Sequence, residues 1–259
     1  GVVGAAEVAQ RLGIGDVLSF DMGGTTAKLG AVEDGKPSIA PTFEIDPIKY
    51  KRGSGLPINT PAIELLEIGA GGENDAEISA AVISKLYPVL EKLKPEAVVF
   101  LGDTNTVMGC LSAAQLNIPI VHIEGCMRSY DWRMPEEKYR GTIDHLSDVI
   151  YTYFPEYKKQ GIDEGLNPNS IVLVQNLIVD VLNAYYFEKK DFYDSIASIE
   201  FFAQRGIERG EFYLMTLHRR ENVHIRESFE NIINLLGNTN RKIYFAAMSK
   251  MPTLRKIHA

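Results

Sequence analysis

Short apolar runs alternate with helix-compatible segments through the middle of the chain. Residues 97–101 (AVVFL) and 118–123 (IPIVHI) have the length of strands and are rich in β-branched residues. Residues 107–115 between them are compatible with a helix. This order predicts one βαβ unit whose two strands are parallel and buried.

The same alternation continues on both sides of that unit. Apolar residues at helical spacing predict an amphipathic helix over residues 77–93, in which Pro88 is expected to cause a kink or an interruption. Further strands are predicted at 149–153 and 170–174. Strands that alternate with helices are typical of a three-layer α/β lobe with a parallel sheet, which we assign to residues 73–185.

The C-terminal part of the chain contains the beginning of a second lobe. Residues 182–208 lead towards it, and strands are predicted at 212–217 and 242–247. The helix predicted between those strands ends at Gly237. We therefore assign residues 186–259 to a second, truncated lobe.

Composition and charge exclude several classes of protein. The chain has 259 residues, 45% hydrophobic and 24% charged, which is enough for two domains of roughly 100–200 residues each. The net charge of −7 and the lack of a Lys/Arg run disfavour a nucleic-acid partner. No apolar run approaches the roughly 18 residues of a membrane span, so no membrane partner is expected. The two cysteines indicate neither a disulfide framework nor a metal site, and a reducing cytoplasm is the expected location.

Polar side chains follow both central strands at the point where each strand ends. Asp103 follows the first strand, and His122 and Glu124 lie at the end of the second. Because ligands of open α/β sheets bind at the carboxyl ends of the strands, these residues predict a binding site. For Asp103 alone, capping of the next helix is the alternative. The presence of both groups, followed by residues 135–137 (PEE), favours a site.

Three motifs occur in an order that a known enzyme family shares. Residues 102–104 (GDT), 122–128 (HIEGCMR) and 135–140 (PEEKYR) resemble the GDT, HxEAGxR and PEExNR motifs of the non-hydrolysing UDP-N-acetylglucosamine 2-epimerases. The resemblance runs from about Gly72 to the C-terminus. It implies a fold of the glycosyltransferase-B type, with a Rossmann-like lobe and part of a second lobe. It also implies a UDP-sugar substrate, a homodimer and no cofactor for epimerisation.

The chemistry of a 2-acetamido sugar explains why such a site needs several carboxylates. The C2 proton is not acidic, so a base has to remove it while UDP leaves C1. Reprotonation on the other face and re-addition of UDP then complete the reaction. This needs acid–base groups on both faces of the ring and cations at the diphosphate. The resemblance implies catalytic roles for Asp103, Glu124, Glu136 and His218, and substrate-binding roles for His122, Arg128, Arg140, Arg219 and Asn176.

Residues 1–72 differ in character from the rest of the chain. Residues 21–26 (DMGGTT) connect strands predicted at 16–20 and 27–32. The glycine pair lets the backbone approach a phosphate, and the threonine hydroxyls can donate hydrogen bonds to it. A tight hairpin without a ligand is the alternative.

Three stretches of this segment, residues 19–26, 53–57 and 67–72, resemble an internal piece of the hydantoinase A/oxoprolinase family. That family has an actin-like ATPase fold, so the resemblance implies ATP and Mg²⁺ as cofactors of the segment. The phosphate-binding residues that it implies are Asp21, Gly23, Gly24, Thr25 and Thr26. We therefore interpret residues 1–72 as a short actin-like fragment that packs poorly on the α/β lobe. A strand at 16–20 hydrogen-bonded into the parallel sheet would contradict this interpretation.

Three functions follow from these patterns. The first is a UDP-N-acetylglucosamine 2-epimerase. The second is an ATP-dependent hydrolase of the hydantoinase type, which rests on residues 1–72 alone. The third is a hydrolysing epimerase that releases N-acetylmannosamine and UDP. Product analysis by NMR separates the first from the third, and hydantoin-dependent release of ADP would reveal the second.

The chain as given is expected not to catalyse epimerisation by itself. The family's GTRPE-like turn does not occur in residues 1–72, residues 247–250 (AMSK) replace its HPR-like turn, and its GGIQEE and TERPE elements are absent. Each lost charged contact to UDP costs about 1.5–3 kcal/mol. We expect negligible UDP affinity in isothermal titration of the chain, and micromolar binding would contradict this prediction.

Overall fold

A computed structural model describes residues 1–22, 26–40, 43–45, 56–58, 62–63, 65–69, 74–189, 191, 196–208, 210–217, 225–239 and 241–245. The chain divides into a first unit, residues 1–177, and a second unit, residues 178–259. The helices of the first unit are α1 (Val2–Leu12), α2 (Asp75–Leu93), α3 (Cys110–Gln115), α4 (Pro135–Leu146) and α5 (Pro155–Asp163), with a 3-10 helix (Asn105–Gly109) directly before α3. Its strands are β1 (Val17–Met22), β2 (Thr26–Glu33), β3 (Lys36–Pro37), β4 (Ile39–Ala40), β5 (Phe43–Ile45), β6 (Leu56–Ile58), β7 (Ala62–Ile63), β8 (Leu65–Gly69), β9 (Ala97–Leu101), β10 (Ile120–Ile123), β11 (Val149–Thr152) and β12 (Ile171–Leu173).

One mixed sheet organises the first unit. Its hydrogen-bonded order is β12-β11-β10-β9-β1-β2-β3, and β8 also pairs with β2. The strands from β12 to β1 are parallel, whereas β2 runs antiparallel to β1. The four parallel strands predicted between residues 97 and 174 are therefore confirmed. The short pairs β4–β7 and β5–β6 lie outside this sheet.

Apolar side chains pack on both faces of the sheet, because successive residues of a strand point to opposite faces. On one face, Phe20 and Phe100 lie opposite each other in register, with ring centroids 5.6 Å apart in an edge-to-face arrangement. Leu86 of α2 is fully buried in the same cluster. On the other face, Ala5 and Ala9 of α1 are fully buried. Both faces are thus covered by helices, as a parallel sheet requires.

Strand β1 lies inside the parallel sheet, so the predicted poor packing of residues 1–72 is wrong. Residues 17–20 of β1 pair in parallel with residues 97–100 of β9. Residues 17–20 are all buried, and a strand buried on both faces satisfies its backbone groups only through neighbouring strands. The resemblance to a second family gave no information about these pairing partners. With this result, the structural argument for a separate actin-like fragment fails.

A second set of contacts fixes the loop that precedes β1. The Glu96 carboxylate accepts hydrogen bonds from the backbone N–H groups of Gly15 and Asp16, at 2.7 and 3.2 Å. In return, the Glu96 N–H donates to the Asp16 carbonyl at 2.8 Å. The residues before β1 and those before β9 therefore enter the sheet together.

Helix α2 continues through Pro88 without interruption. Its N-terminus is capped, since the Asn74 side chain accepts a hydrogen bond from the Glu77 N–H at 3.0 Å. Val82, Leu86 and Leu90 form its fully buried stripe against the sheet. We infer that this packing outweighs the one backbone hydrogen bond that proline removes.

The second unit contains most of helix α6 (Leu177–Tyr185), a 3-10 helix (Phe187–Lys189), α7 (Ile196–Ala203), β13 (Phe212–Met215), α8 (Arg226–Gly237) and β14 (Lys242–Phe245). Strands β13 and β14 are parallel neighbours. Large apolar side chains of this unit are exposed, among them Tyr185 at 63% and Leu214 at 68%. Among the described helices of the chain, none combines the length and apolar character needed to cross a membrane.

Candidate active site

The candidate site lies where β9 and β10 end, at the carboxyl edge of the sheet. Two hydrogen bonds join Gly102, the residue that follows β9, to the end of β10. The Gly102 N–H donates to the Ile123 carbonyl at 3.1 Å, and the Gly102 carbonyl faces Nε2 of His122 at 2.8 Å. Asp103 follows Gly102, and Glu124 follows Ile123. The two acidic residues therefore lie on neighbouring loops at the carboxyl ends of the strands, where ligands of such sheets bind.

Asp103 forms an ion pair with Arg140. The Nε of Arg140 donates to Oδ2 of Asp103 at 2.7 Å, and Nη2 donates to the same oxygen. The Arg140 side chain is only 13% exposed, whereas that of Asp103 is 31% exposed. The arginine thus holds the carboxylate from the protein side, and part of the carboxylate remains open to solvent.

Glu137 anchors the loop between β10 and α4. Its carboxylate accepts hydrogen bonds from the backbone N–H groups of Ser129 and Tyr130, from the Ser129 hydroxyl at 2.9 Å and from Nη1 of Arg140 at 3.2 Å. Burial raises the pKa of Glu137, but these hydrogen bonds and the charge of Arg140 outweigh it, so the pKa is lower than usual. Glu137 therefore stays ionised and fixes both the loop and the arginine that holds Asp103.

His122, predicted to bind substrate, is fully buried beneath the site. Its Nδ1 faces the Asp144 carboxylate at 2.7 Å, and its Nε2 faces the Gly102 carbonyl at 2.8 Å. Both ring nitrogens therefore lie within hydrogen-bond distance of a protein oxygen atom. His122 therefore links Gly102, which follows β9, to Asp144 of α4.

Arg128, also predicted to bind substrate, is turned inward. Its Nη1 donates to Oδ2 of Asp144 at 2.7 Å, and its Nε and Nη2 donate to Glu164 at 3.1 and 2.7 Å. Burial alone would raise the pKa of Asp144. The hydrogen bonds and charges of His122 and Arg128 lower it by more, so the pKa lies below its usual value. Arg128, Asp144 and Glu164 thus form a cluster of ion pairs, and His122 is hydrogen-bonded to it through Asp144.

The loop after β10 has a constrained backbone. Glu124 and Cys126 have φ of 74° and 63°, in the left-handed region that costs free energy for residues other than glycine. Between them, a Cβ on Gly125 would lie 2.2 Å from Ile150 and 2.9 Å from Asp144, so this position requires glycine. The Cys126 N–H donates to Asp144 at 3.0 Å and helps to hold the loop in this form.

The Glu124 side chain lies over the neighbouring loop. Its Oε1 accepts a hydrogen bond from the Tyr153 hydroxyl at 3.1 Å. Its Oε2 lies 3.4 Å from the position that a Cβ on Gly102 would occupy, next to Asp103. Glu136 is half-buried in the first turn of α4, where the helix N-terminus favours a negative charge.

The remaining predicted residues are distributed as follows. Asn176 is half-buried beyond β12, and Asp21 lies near the carboxyl end of β1 opposite Lys28. Thr26 begins β2. Gly23, Gly24, Thr25, His218 and Arg219 lie outside the described residues. Within the part of the chain that the structure describes, no group of three or more His, Cys, Asp or Glu side chains is placed to hold a metal ion.

The residues that sequence reasoning missed share one face of α4 or one strand end. Glu137 and Asp144 are the missed residues of α4, and with Arg140, which was predicted, they stand at i, i+7 and i+3 on one side of the helix. That spacing was a readable signal, because a polar stripe on a helix next to a sheet indicates a buried network. Tyr153, at the end of β11, carried no comparable signal.

Comparison with known proteins agrees with this geometry. The family model of UDP-N-acetylglucosamine 2-epimerase matches residues 46–258. A UDP-N-acetylglucosamine 2-epimerase homolog of Methanococcus maripaludis is 35% identical over 209 residues, which cover 78% of this chain and 54% of the relative. The UDP-N-acetylglucosamine 2-epimerase of Methanocaldococcus jannaschii is 36% identical over 171 residues, covering 65% and 44%. The chain thus spans about half the length of the curated relatives that it matches.

Solved structures give the same result. The Methanocaldococcus jannaschii UDP-GlcNAc 2-epimerase in complex with UDP-GlcNAc and UDP is 31% identical with a TM-score of 0.62, over 73% of this chain and 51% of that one. The Neisseria meningitidis UDP-GlcNAc 2-epimerase bound to UDP-GlcNAc is 28% identical with a TM-score of 0.59, over 71% and 51%.

The family match also bears on the segment that resembled a hydantoinase. It begins at residue 46, inside residues 1–72, and none of the matches above supports the hydantoinase A resemblance. The match spans most of the chain and coincides with the three motifs and the carboxylates of the site. The chain belongs to the UDP-N-acetylglucosamine 2-epimerase family.

Proposed function

We propose that this chain carries the sugar-binding and proton-transfer residues of a UDP-N-acetylglucosamine 2-epimerase, which interconverts UDP-GlcNAc and UDP-ManNAc. The observation that carries the proposal is the pair of carboxylates Asp103 and Glu124, which follow the neighbouring parallel strands β9 and β10 at one edge of the sheet. Glu136, in the first turn of α4, is proposed as the third carboxylate. The relatives solved with UDP-GlcNAc bound support the choice of substrate.

The contacts of the carboxylates suit acid–base work at C2. Asp103 is held by Arg140, and Glu124 by Tyr153, so both enter the reaction with fixed orientation. Removal of the C2 proton by one carboxylate, with departure of UDP from C1, gives a glycal. Delivery of a proton to the opposite face of C2, followed by re-addition of UDP at C1, gives the epimer.

Further parts of the proposal rest on the family resemblance. His218 and Arg219 are proposed to face the leaving diphosphate, where cations stabilise the developing charge. No cofactor is proposed, since UDP is returned to the sugar and no oxidation state changes. A homodimer and a cytoplasmic location are proposed on the same grounds.

The proposal predicts that the chain binds the sugar weakly, and NMR can test this. With millimolar UDP-GlcNAc, saturation-transfer NMR of the chain should show transfer to the protons of the sugar ring. Glu124→Gln should reduce this transfer, because a charged acceptor is replaced by a neutral amide of the same shape. Glu156→Gln is the matched control, since Glu156 lies exposed on α5.

Two outcomes would overturn the proposal. One is the absence of transfer to the sugar at millimolar concentration, and the other is equal transfer in Glu124→Gln and in the control. Where product forms, its NMR spectrum distinguishes UDP-ManNAc from the free N-acetylmannosamine and UDP of a hydrolysing enzyme.

A further inference from the structure

We propose that Tyr153 is a positioning residue for Glu124, an inference that rests on the proposed function. The phenol orients the carboxylate from below, so that one oxygen stays hydrogen-bonded to the protein and the other is presented to the sugar. None of the three motifs contains this tyrosine, which lies 29 residues after Glu124 in the chain.

The geometry assigns the two carboxylate oxygens different surroundings. Oε1 accepts from the Tyr153 hydroxyl at 3.1 Å. Oε2 lies beside Gly102, in the loop that carries Asp103. Because strands β10 and β11 are parallel neighbours, the residues that follow them, Glu124 and Tyr153, meet at the same sheet edge.

Tyr153 is well suited to hold a carboxylate without competing for the proton at C2. Its side chain is buried, with 6% of the residue exposed, and it packs in the core cluster that α1 forms with the sheet. Burial, together with the charge and the hydrogen bond of Glu124, raises the pKa of the Tyr153 phenol above its usual value. The phenol therefore remains a donor at all physiological pH values.

The hydrogen bond matters because Glu124 starts from an unusual backbone. With φ of 74°, its backbone is fixed but its side chain keeps several rotatable bonds. A side chain that is ordered before binding does not lose that freedom when the sugar arrives. Tyr153 therefore contributes to binding through Glu124 and not by its own contact with the sugar.

The same cluster connects the N-terminal helix to the site. Val2, Ala5 and Ala9 of α1 belong to the cluster that contains the Tyr153 ring. Residues that sequence reasoning had assigned to a separate fragment therefore support a residue that orients Glu124.

The first experiment tests the hydrogen bond independently of substrate. Tyrosine labelled with ¹³C at Cζ is incorporated, and the Tyr153 signal is assigned by its loss in Tyr153→Phe. At constant neutral pH, the Tyr153 signal should move in Glu124→Gln relative to the unmodified chain, because the phenol then donates to a neutral amide instead of a charged carboxylate. A Tyr153 signal that behaves identically in both proteins would overturn the inference, because a tyrosine that only fills space does not report on Glu124.

The second experiment tests the consequence for binding. Saturation-transfer titrations with UDP-GlcNAc compare Tyr153→Phe with Tyr151→Phe, a tyrosine two residues earlier, in β11, with the same 6% exposure and in the same core cluster. Loss of side-chain ordering should weaken binding about two- to tenfold in Tyr153→Phe and leave it unchanged in Tyr151→Phe. Equal effects in the two variants would overturn the positioning role. No transfer in the unmodified chain would count against the proposed function instead, and the ¹³C comparison with Glu124→Gln would then decide the inference alone.

Discussion

Phe20→Ala is expected to lower the free energy of unfolding of the first unit by about 3–5 kcal/mol. Phe20 is 1% exposed and makes an edge-to-face contact with Phe100 across the β1–β9 pair. Its ring also lies next to the close contact between the 3-10 helix and α2, since a Cβ on Gly109 would be 2.8 Å from Leu86 and 3.3 Å from Phe20. Removal of the ring would leave a cavity that such tight packing cannot readily close.

Chemical denaturation followed by circular dichroism measures this loss. Val3→Ala is the matched control, because Val3 lies in the same N-terminal segment but is 65% exposed. It should change the free energy of unfolding by no more than about 0.5 kcal/mol. A small effect of Phe20→Ala, similar to that of the control, would show that β1 does not contribute to the sheet and would restore the separate-fragment interpretation.

The sequence was most informative where structure is determined locally. The strands β9, β10, β11 and β12 were predicted because each is a short apolar run between helix-compatible segments. The rule that ligands bind at the carboxyl ends of strands then brought Asp103 and Glu124 to one edge without any knowledge of the fold. Both results depend only on periodicity and chain direction.

Pairing between distant segments was not accessible in this way. Residues 17–20 have the pattern of any buried strand, and nothing in them specifies β9, about 80 residues away, as the partner. A resemblance to another family then suggested a boundary where the sheet is continuous. Hydrogen bonds such as those of Glu96 with Gly15 and Asp16 become visible only once the strands are placed.

The sequence also did not show which side chains point into the protein. His122 and Arg128 were predicted to bind substrate, but both point into the protein, towards Asp144. A motif identifies residues that a family shares and does not distinguish a residue that contacts substrate from one that holds the contacting residue. That distinction depends on burial and on partners contributed by another element, here α4.

Asp144→Asn is expected to destabilise the first unit by about 3–5 kcal/mol, because the change removes one partner of a buried charge cluster. The Asp144 side chain is fully buried and accepts hydrogen bonds from His122, from the Cys126 N–H and from Arg128. Asparagine offers one acceptor oxygen and places an NH₂ group against the remaining donors. The guanidinium of Arg128 would then keep the Glu164 carboxylate as its remaining anion within the cluster.

The loss of stability in Asp144→Asn should depend on pH, whereas the loss caused by a simple packing defect should not. The folded-state pKa of Asp144 is lower than usual, so its contribution to stability is fully present above the unfolded value of about 3.9. This contribution is lost as the pH falls through the folded-state pKa of Asp144. Denaturation at a series of pH values should therefore show that the difference in free energy of unfolding between the unmodified chain and Asp144→Asn becomes smaller in acid. Glu164→Gln is the matched control: it removes the other anion of Arg128, but that side chain is 28% exposed, so the cost should be about 1 kcal/mol or less. If the difference in free energy of unfolding does not depend on pH, or if the two variants lose the same free energy, the charge of Asp144 does not hold the loops together.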